Sequence, residues 1–167
     1  MQILGDFNTS VERALSEIDP DFRKYPGLVV CGTHTPDNVD YMLEEIKKTR
    51  ETDLPFLGIC FGHQLAAIEY ARNVIGDKNA TSEELVHRES LYGMTATFIV
   101  KRNPHGLNVG LIDGESYWNN FHVDSSFEGF WKKPPNFITC QYHPEYQSSK
   151  HKPHPLLVKY LEYAKNY

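Results

Sequence analysis

The residues best suited to do chemistry stand in two short runs far apart in the chain. The first is Leu57-Gly58-Ile59-Cys60-Phe61-Gly62-His63-Gln64, in which a cysteine has a glycine two residues to either side. Residues 54–60 are apolar and short, like a buried parallel strand, and residues 64–74 are helical in pattern. A nucleophile at a strand-to-helix join between glycines is the nucleophile-elbow arrangement, here with Cys in place of Ser. The glycines are needed because the elbow backbone is strained and its neighbours pass close to other backbone. The helix that follows points its free N–H groups and dipole at the sulfur, which favours thiolate over thiol. The Phe61 N–H is then placed to donate to an oxyanion. The plainer reading of Cys60 is a small buried hydrophobe at a strand end.

A thiolate needs a base, and the base needs an orienting partner. The chain has eight histidines. His143 stands out, in Gln141-Tyr142-His143-Pro144-Glu145 at the end of an apolar strand-like run. Pro144 restricts His143 to extended backbone. Glu145, two residues on, can lie on the same side and accept from the imidazole. Cys60, His143 and Glu145 then form a triad in the chain order Cys…His…Glu. Alone, His-Pro-Glu reads as a turn with a solvated carboxylate.

The elements that must position these residues alternate between strand and helix. Residues 1–7 read as a first strand. Asn8, Thr9 or Ser10 is expected to cap a helix over 11–18, with Glu12 placed for a capping box. Residues 28–31 form a β-branched run after a Pro26-Gly27 turn. Residues 36–49 show helical spacing of Val39, Met42, Leu43 and Ile46. Residues 76–92 are polar and carry no clear period. Residues 94–100 and 107–112 read as strands of a second layer, 136–142 as another strand, and 155–167 as a closing helix. This order predicts an α/β fold with a largely parallel sheet.

Composition narrows the classes. The chain has 167 residues, which suits a single domain over 1–167. Lys and Arg number 17 against 22 Asp and Glu, and the net charge of −5 argues against a general nucleic-acid or membrane-surface binder. No apolar run approaches the ~18–20 residues of a membrane helix, and no signal peptide is visible. Three spaced cysteines fit a reducing compartment, so a cytoplasmic protein is expected. No phosphate-binding loop of the Gly-rich Lys-Ser/Thr kind is present. His151 and His154 flank Lys152-Pro153 without a third ligand, so no metal and no cofactor are expected. His34 and His63 either flank the pocket or pack; Tyr117, Trp118 and Phe121 either line it or pack.

Together the two runs resemble class I glutamine amidotransferase domains, which hydrolyse the γ-amide of glutamine through a thioester on a Cys-His-Glu triad. Residues 54–62 continue into Gln64 and then Ile68-Glu69-Tyr70-Ala71-Arg72-Asn73-Val74-Ile75-Gly76, a run similar to the glutaminase domain of CTP synthase. So are Gln141-Tyr142-His143-Pro144-Glu145-Tyr146, Ser148 and Pro153-His154-Pro155-Leu156-Leu157. The resemblance is dense over 54–84 and 137–164 and thin elsewhere. Leu4-Gly5-Asp6-Phe7-Asn8 is similar to the opening strand of free-standing CTP synthase-related proteins, which lack the synthetase domain.

The resemblance implies a flavodoxin-like three-layer sandwich around a mostly parallel sheet. It implies Cys60, His143 and Glu145 as the triad, and Gly58 and Phe61 as the residues around the nucleophile. It also implies that Gln64 contacts substrate and that Glu84 binds the substrate ammonium group. The plainer reading of Glu84 is one carboxylate in a polar loop. The partners it implies are a small-molecule amide substrate and a separate synthetase subunit.

Three departures qualify it. The family's second oxyanion element is a Pro-Gly-Gly turn, matched here by Cys31-Gly32-Thr33. Gly32 is kept, but Thr33 must offer its N–H without positive φ, and Cys31 is expected either to pair in a disulfide or to pack. The family arginine that holds the glutamine α-carboxylate is matched by Asn120, and an amide cannot replace a bidentate guanidinium. A related γ-glutamyl amide is therefore an alternative substrate to free glutamine. Finally, only about twenty residues separate the first strand from Leu28, where the family fits a helix and a further strand. The sheet is expected to be shortened there, with the exposed edge covered by self-association into a homodimer.

Two other readings stay open. One is a non-catalytic module that keeps the pocket for binding or docking. The other is a different elbow-cysteine hydrolase of this fold; those place histidine directly after the cysteine, where this chain has Phe61.

Overall fold

The computed structural model describes residues 1–34, 37–89, 95–102, 109–111, 121–123, 129–132 and 136–167. Its main sheet has six strands. These are β1 (Gln2–Leu4), β2 (Leu28–Val30), β3 (Phe56–Ile59), β7 (His122–Val123), β8 (Phe130–Trp131) and β9 (Phe137–Cys140), in the order β1-β2-β3-β9-β8-β7. The first four in that order are parallel, and β8 and β7 add antiparallel at one edge. A smaller sheet holds β4 (Ala80–Ser82), β5 (Thr97–Arg102) and β6 (Val109–Leu111), with β4 and β5 parallel and β5 and β6 antiparallel.

Strand alternation sends the apolar side chains to two faces. Leu28, Val30 and Phe56 face α2 (Val39–Glu51) and α3 (Phe61–Tyr70), where Val39, Met42, Ile46, Leu65 and Ile68 are buried. Val29, Leu57, Ile59 and Ile138 face α1 (Asn8–Ile18) and α5 (Pro155–Asn166), which bury Val11, Leu15, Leu157 and Tyr160. The result is the expected α/β three-layer sandwich with a flavodoxin-like, mostly parallel sheet. Strands buried on both faces explain why β2 and β3 read as continuous apolar runs rather than alternating ones.

Several boundaries differ from the sequence reading. β1 stops at Leu4 and is an edge strand among the described residues. The capping box is absent: Phe7 occupies the N-cap of α1, with no side-chain cap bond. The turn that starts α1 is held by tertiary bonds instead. Phe7 N–H donates to the Gly32 carbonyl at 3.1 Å, and His34 N–H donates to Asp6 Oδ2 at 2.7 Å. α3 begins at Phe61, three residues earlier than its period suggested, and a π-helical turn (Ala71–Ile75) extends it. The stretch without a clear period holds β4 and α4 (Glu83–Glu89). Among the described residues, no helix is long and apolar enough to cross a membrane.

Candidate active site

In an open parallel sheet, ligands bind beyond the carboxyl ends of the strands. The candidate residues collect there, on three neighbouring strands. Gly32 and Thr33 follow β2, Cys60 follows β3, and His143 and Glu145 follow β9.

Cys60 has φ 55° and ψ −111°, a backbone region that is strained for a side-chain-bearing residue. Two bonds hold it there. Its N–H donates to the Cys140 carbonyl at 2.8 Å, and its carbonyl accepts from Gln64 N–H at 3.3 Å. The bend also requires Gly62, because a Cβ there would overlap the Val30 carbonyl. Gly58 is similarly confined beneath the first turn of α3. Every residue of α3 is buried, so the helix cannot move aside to relieve the strain.

His143 and Glu145 meet through a short bond. The imidazole Nδ1–H donates to Glu145 Oε1 at 2.6 Å, and the carboxylate is fully buried. Glu145 Oε2 is also buried and has no hydrogen-bond partner among the described residues. His143 is pushed up to about 10, first by its hydrogen bond to Cys60 and then by that to Glu145. An imidazolium is therefore the form these partners favour at neutral pH. Phe7 meets the ring edge-on with centroids 5.7 Å apart, and Tyr146 stacks on it at 5.1 Å.

Gly32 lies under this arrangement. A Cβ on it would meet the Phe7 ring at 2.6 Å and His143 Cε1 at 3.1 Å, so glycine is required by close approach. Thr33 is buried, and Asp53 and Cys60 are the non-glycine residues with positive φ among those described. Thr33 thus enters the turn without left-handed strain. Cys31 N–H donates to the Leu4 carbonyl at 2.8 Å, a bond that the family's proline could not make. Its thiol is free, donates to the same carbonyl at 3.0 Å, and is pushed up to about 12 by burial and the Glu145 charge. Of the two fates expected for Cys31, the structure shows packing.

Gln64 and Glu84 are brought together. Gln64 Nε2 donates to Glu84 Oε2 at 2.5 Å and to Gln141 Oε1 at 3.3 Å. Gln141 Nε2 in turn donates to Cys60 Sγ at 3.6 Å. Asn120, Tyr117 and Trp118 lie outside the described residues. Phe121 packs against Tyr70 and Phe130.

Three further histidines, His63, His34 and His154, have structural partners. His63 is fully buried, pushed down to about 3 by desolvation and so held neutral, and bonded through Nδ1 to Thr139 Oγ1 at 3.0 Å. His34 is exposed against the Phe7 ring. His154 caps α5, its Nδ1 accepting from Leu156 N–H at 3.2 Å.

Sequence reasoning missed three contacts at the site. These are the Gln141 bond to sulfur, the Tyr146 stack, and Arg13 Nη2 donating to the Glu145 carbonyl at 3.0 Å. The first two were marked only by proximity to His143 in the chain. Arg13 gave no signal, since 132 residues separate it from Glu145.

Known proteins share this fold. The model of the class I glutamine amidotransferases matches residues 6–163. CTP synthase of Thermomicrobium roseum is 29% identical over 201 aligned residues, covering 95% of this chain and 36% of that protein. CTP synthase of Pyrobaculum aerophilum is 33% identical over 172, covering 74% of this chain and 31% of that one. The chain thus spans about a third of the length of these curated relatives. Among solved structures, the glutaminase domain of Trypanosoma brucei CTP synthase, with bound acivicin, superposes with a TM-score of 0.73 at 17% identity, covering 99% of this chain and 93% of that one. A GMP synthase-type protein from Thermoplasma acidophilum gives 0.56 at 17%, covering 99% and 94%. The sheet order, the strained cysteine after β3 and the family match across nearly the whole chain agree: the chain belongs to the class I glutamine amidotransferases.

Proposed function

We propose that the chain is a thiol amidase that hydrolyses the γ-amide of glutamine or of a related γ-glutamyl compound. The observation that carries this reading is Cys60, strained at the strand-to-helix join, beside a β9 turn whose His143 is oriented by the buried Glu145.

His143 takes the Cys60 proton through the ring nitrogen that Glu145 leaves free. The thiolate attacks the γ-carbonyl, and the C–O π pair moves onto oxygen. Phe61 N–H, with an N–H from Gly32 or Thr33, holds that oxyanion. The imidazolium then protonates the departing amine as the C–N bond breaks, leaving a thioester. Water attacks the thioester with His143 as base, freeing the carboxylate and restoring the thiol. Glu84 provides a carboxylate for the substrate ammonium group, and Gln64 an amide beside it.

In this reading residues 1–167 work as one domain in the cytoplasm, beside a separate synthetase subunit that uses the ammonia. The edge strand β1 supports self-association. A second reading is a binding module that keeps the pocket without turnover, and Thr33 in the oxyanion turn favours it.

Incubation with glutamine and a panel of γ-glutamyl amides tests the proposal, with free glutamate as the readout and Cys60→Ala as control. Glutamate release that the variant loses is expected. Equal release from both proteins, or none from any compound, contradicts an amidase acting on its own.

A further inference from the structure

The Cys60 sulfur has a polar neighbour besides His143. Gln141, the first residue after β9, brings its side-chain Nε2 to 3.6 Å from Sγ. A carboxamide can show sulfur either a donor or an acceptor, depending on what holds its other end. Glu84 as a carboxylate only accepts, so Gln64 turns its NH2 group toward it. The second hydrogen of the same nitrogen goes to Gln141 Oε1 at 3.3 Å. With its oxygen engaged, Gln141 can offer only its NH2 to sulfur. Gln64 Oε1 is left buried without a partner among the described residues. Turning the Gln64 amide over would place that oxygen against the Glu84 carboxylate, which has no proton to offer it.

We propose that Gln141 is a positioning residue for the nucleophile: its amide N–H holds the Cys60 thiolate, and Glu84, acting through Gln64, fixes which end of the amide faces sulfur. The proposal rests on Cys60 being the nucleophile of the amidase reading. Several groups face or back this sulfur. His143 comes from the turn after β9 with Glu145 behind it, and Gln64 on α3 links Gln141 to the Glu84 charge on α4. Beside Cys60, the Cys140 carbonyl is taken up by the Cys60 N–H. His143 supplies the full positive charge and Gln141 a neutral dipole. A hydrogen bond to the charged form favours that form, so loss of Gln141 should shift the thiolate equilibrium without abolishing it.

The test uses the full chain and reads Cys60 directly. Alkylation by iodoacetamide is followed against pH by mass spectrometry of the Cys60 peptide, with Cys31 and Cys140 as buried internal references. Gln141→Leu should raise the apparent midpoint by about one pH unit, roughly a tenfold loss of thiolate at a given pH. Gln141→Met, which keeps the length and cannot donate, should match it, and it serves as the second variant should Leu impair folding. Gln64→Leu should shift the midpoint the same way by less, because Gln141 can then show sulfur either end. The Gln64→Leu/Gln141→Leu double variant should move no further than Gln141→Leu alone. Unmoved midpoints in both Gln141 variants overturn the assignment, and additive shifts in the double variant overturn the relay. Alkylation does not depend on turnover. A chain that shows these shifts but releases no glutamate keeps the Gln141 assignment and loses the amidase reading; a chain that releases glutamate with unmoved midpoints does the reverse.

Discussion

Arg13 on α1 donates to the backbone carbonyl of Glu145, so the helix that opens the chain is tied to the turn that carries the buried carboxylate. The bond clamps the turn from outside the pocket, and the same guanidinium pairs with Glu17 at 3.1 Å. Arg13→Met should lower stability by about 1 kcal/mol, the net worth of one such hydrogen bond. Any loss of kcat should stay under about tenfold, because Glu145 keeps its bond to His143. Urea unfolding and steady-state kinetics on the variant check both.

The ring of His143 is held protonated to about 10, chiefly by Cys60. A folded-state value above the ordinary 6.5 means that these bonds stabilise the fold fully below about 6.5, and that the contribution is lost as pH rises through about 10. Amidase activity should therefore fall above about pH 10, where the imidazolium that protonates the leaving amine is gone. In Cys60→Ala the His143 midpoint should drop, because its largest support is removed, while the Glu145 bond keeps it above the ordinary value. NMR titration of the ring reads this; a midpoint that Cys60→Ala leaves in place would contradict it.

Gly32 and Phe7 form a steric pair beneath the imidazole. Gly32→Ala drives a methyl group into the Phe7 ring and against His143 Cε1. It should cost about 1–3 kcal/mol in stability, as overpacking does, and lower kcat by displacing the ring. Removing the obstruction with Phe7→Ala in the same chain should restore part of the activity. Thermal melts and kinetics of the single and double variants give the coupling.

Away from the site, Arg50 makes two 2.8 Å bonds to Glu69, whose side chain is wholly buried in α3. Arg50→Ala leaves that carboxylate with the Asn73 amide but no countercharge, and should destabilise by about 3 kcal/mol. Glu69→Gln, which keeps the shape and removes the charge, should cost less. Chemical denaturation of both variants separates the two cases.

The legible parts of this molecule were those written locally. The strand-to-helix join at Cys60 needs glycines within two residues of it, and Gly62 is there because Val30 leaves no room for a side chain. The His143–Glu145 pair lies within one turn. The two-faced burial of β2 and β3 shows as unbroken apolar runs. What could not be read depends on distant chain. The α1 start looks like a capping box, but Gly32 and His34 fix it across the β1–β2 connection. Ala80–Ser82 is too short a strand to show a period. Gln141 looks like one more polar residue beside a motif until Gln64, 77 residues away in sequence, shows which way its amide must turn.

The central claim is that Cys60 attacks a γ-carbonyl with His143 as its base. Its most direct test is a glutamine analogue bearing a diazomethyl ketone in place of the carboxamide. The expected result is one adduct, on the Cys60 peptide, that excess glutamine or γ-glutamyl amide suppresses and that forms far more slowly in His143→Ala. Failure to label Cys60, or labelling that neither competitor nor His143→Ala alters, would contradict the account.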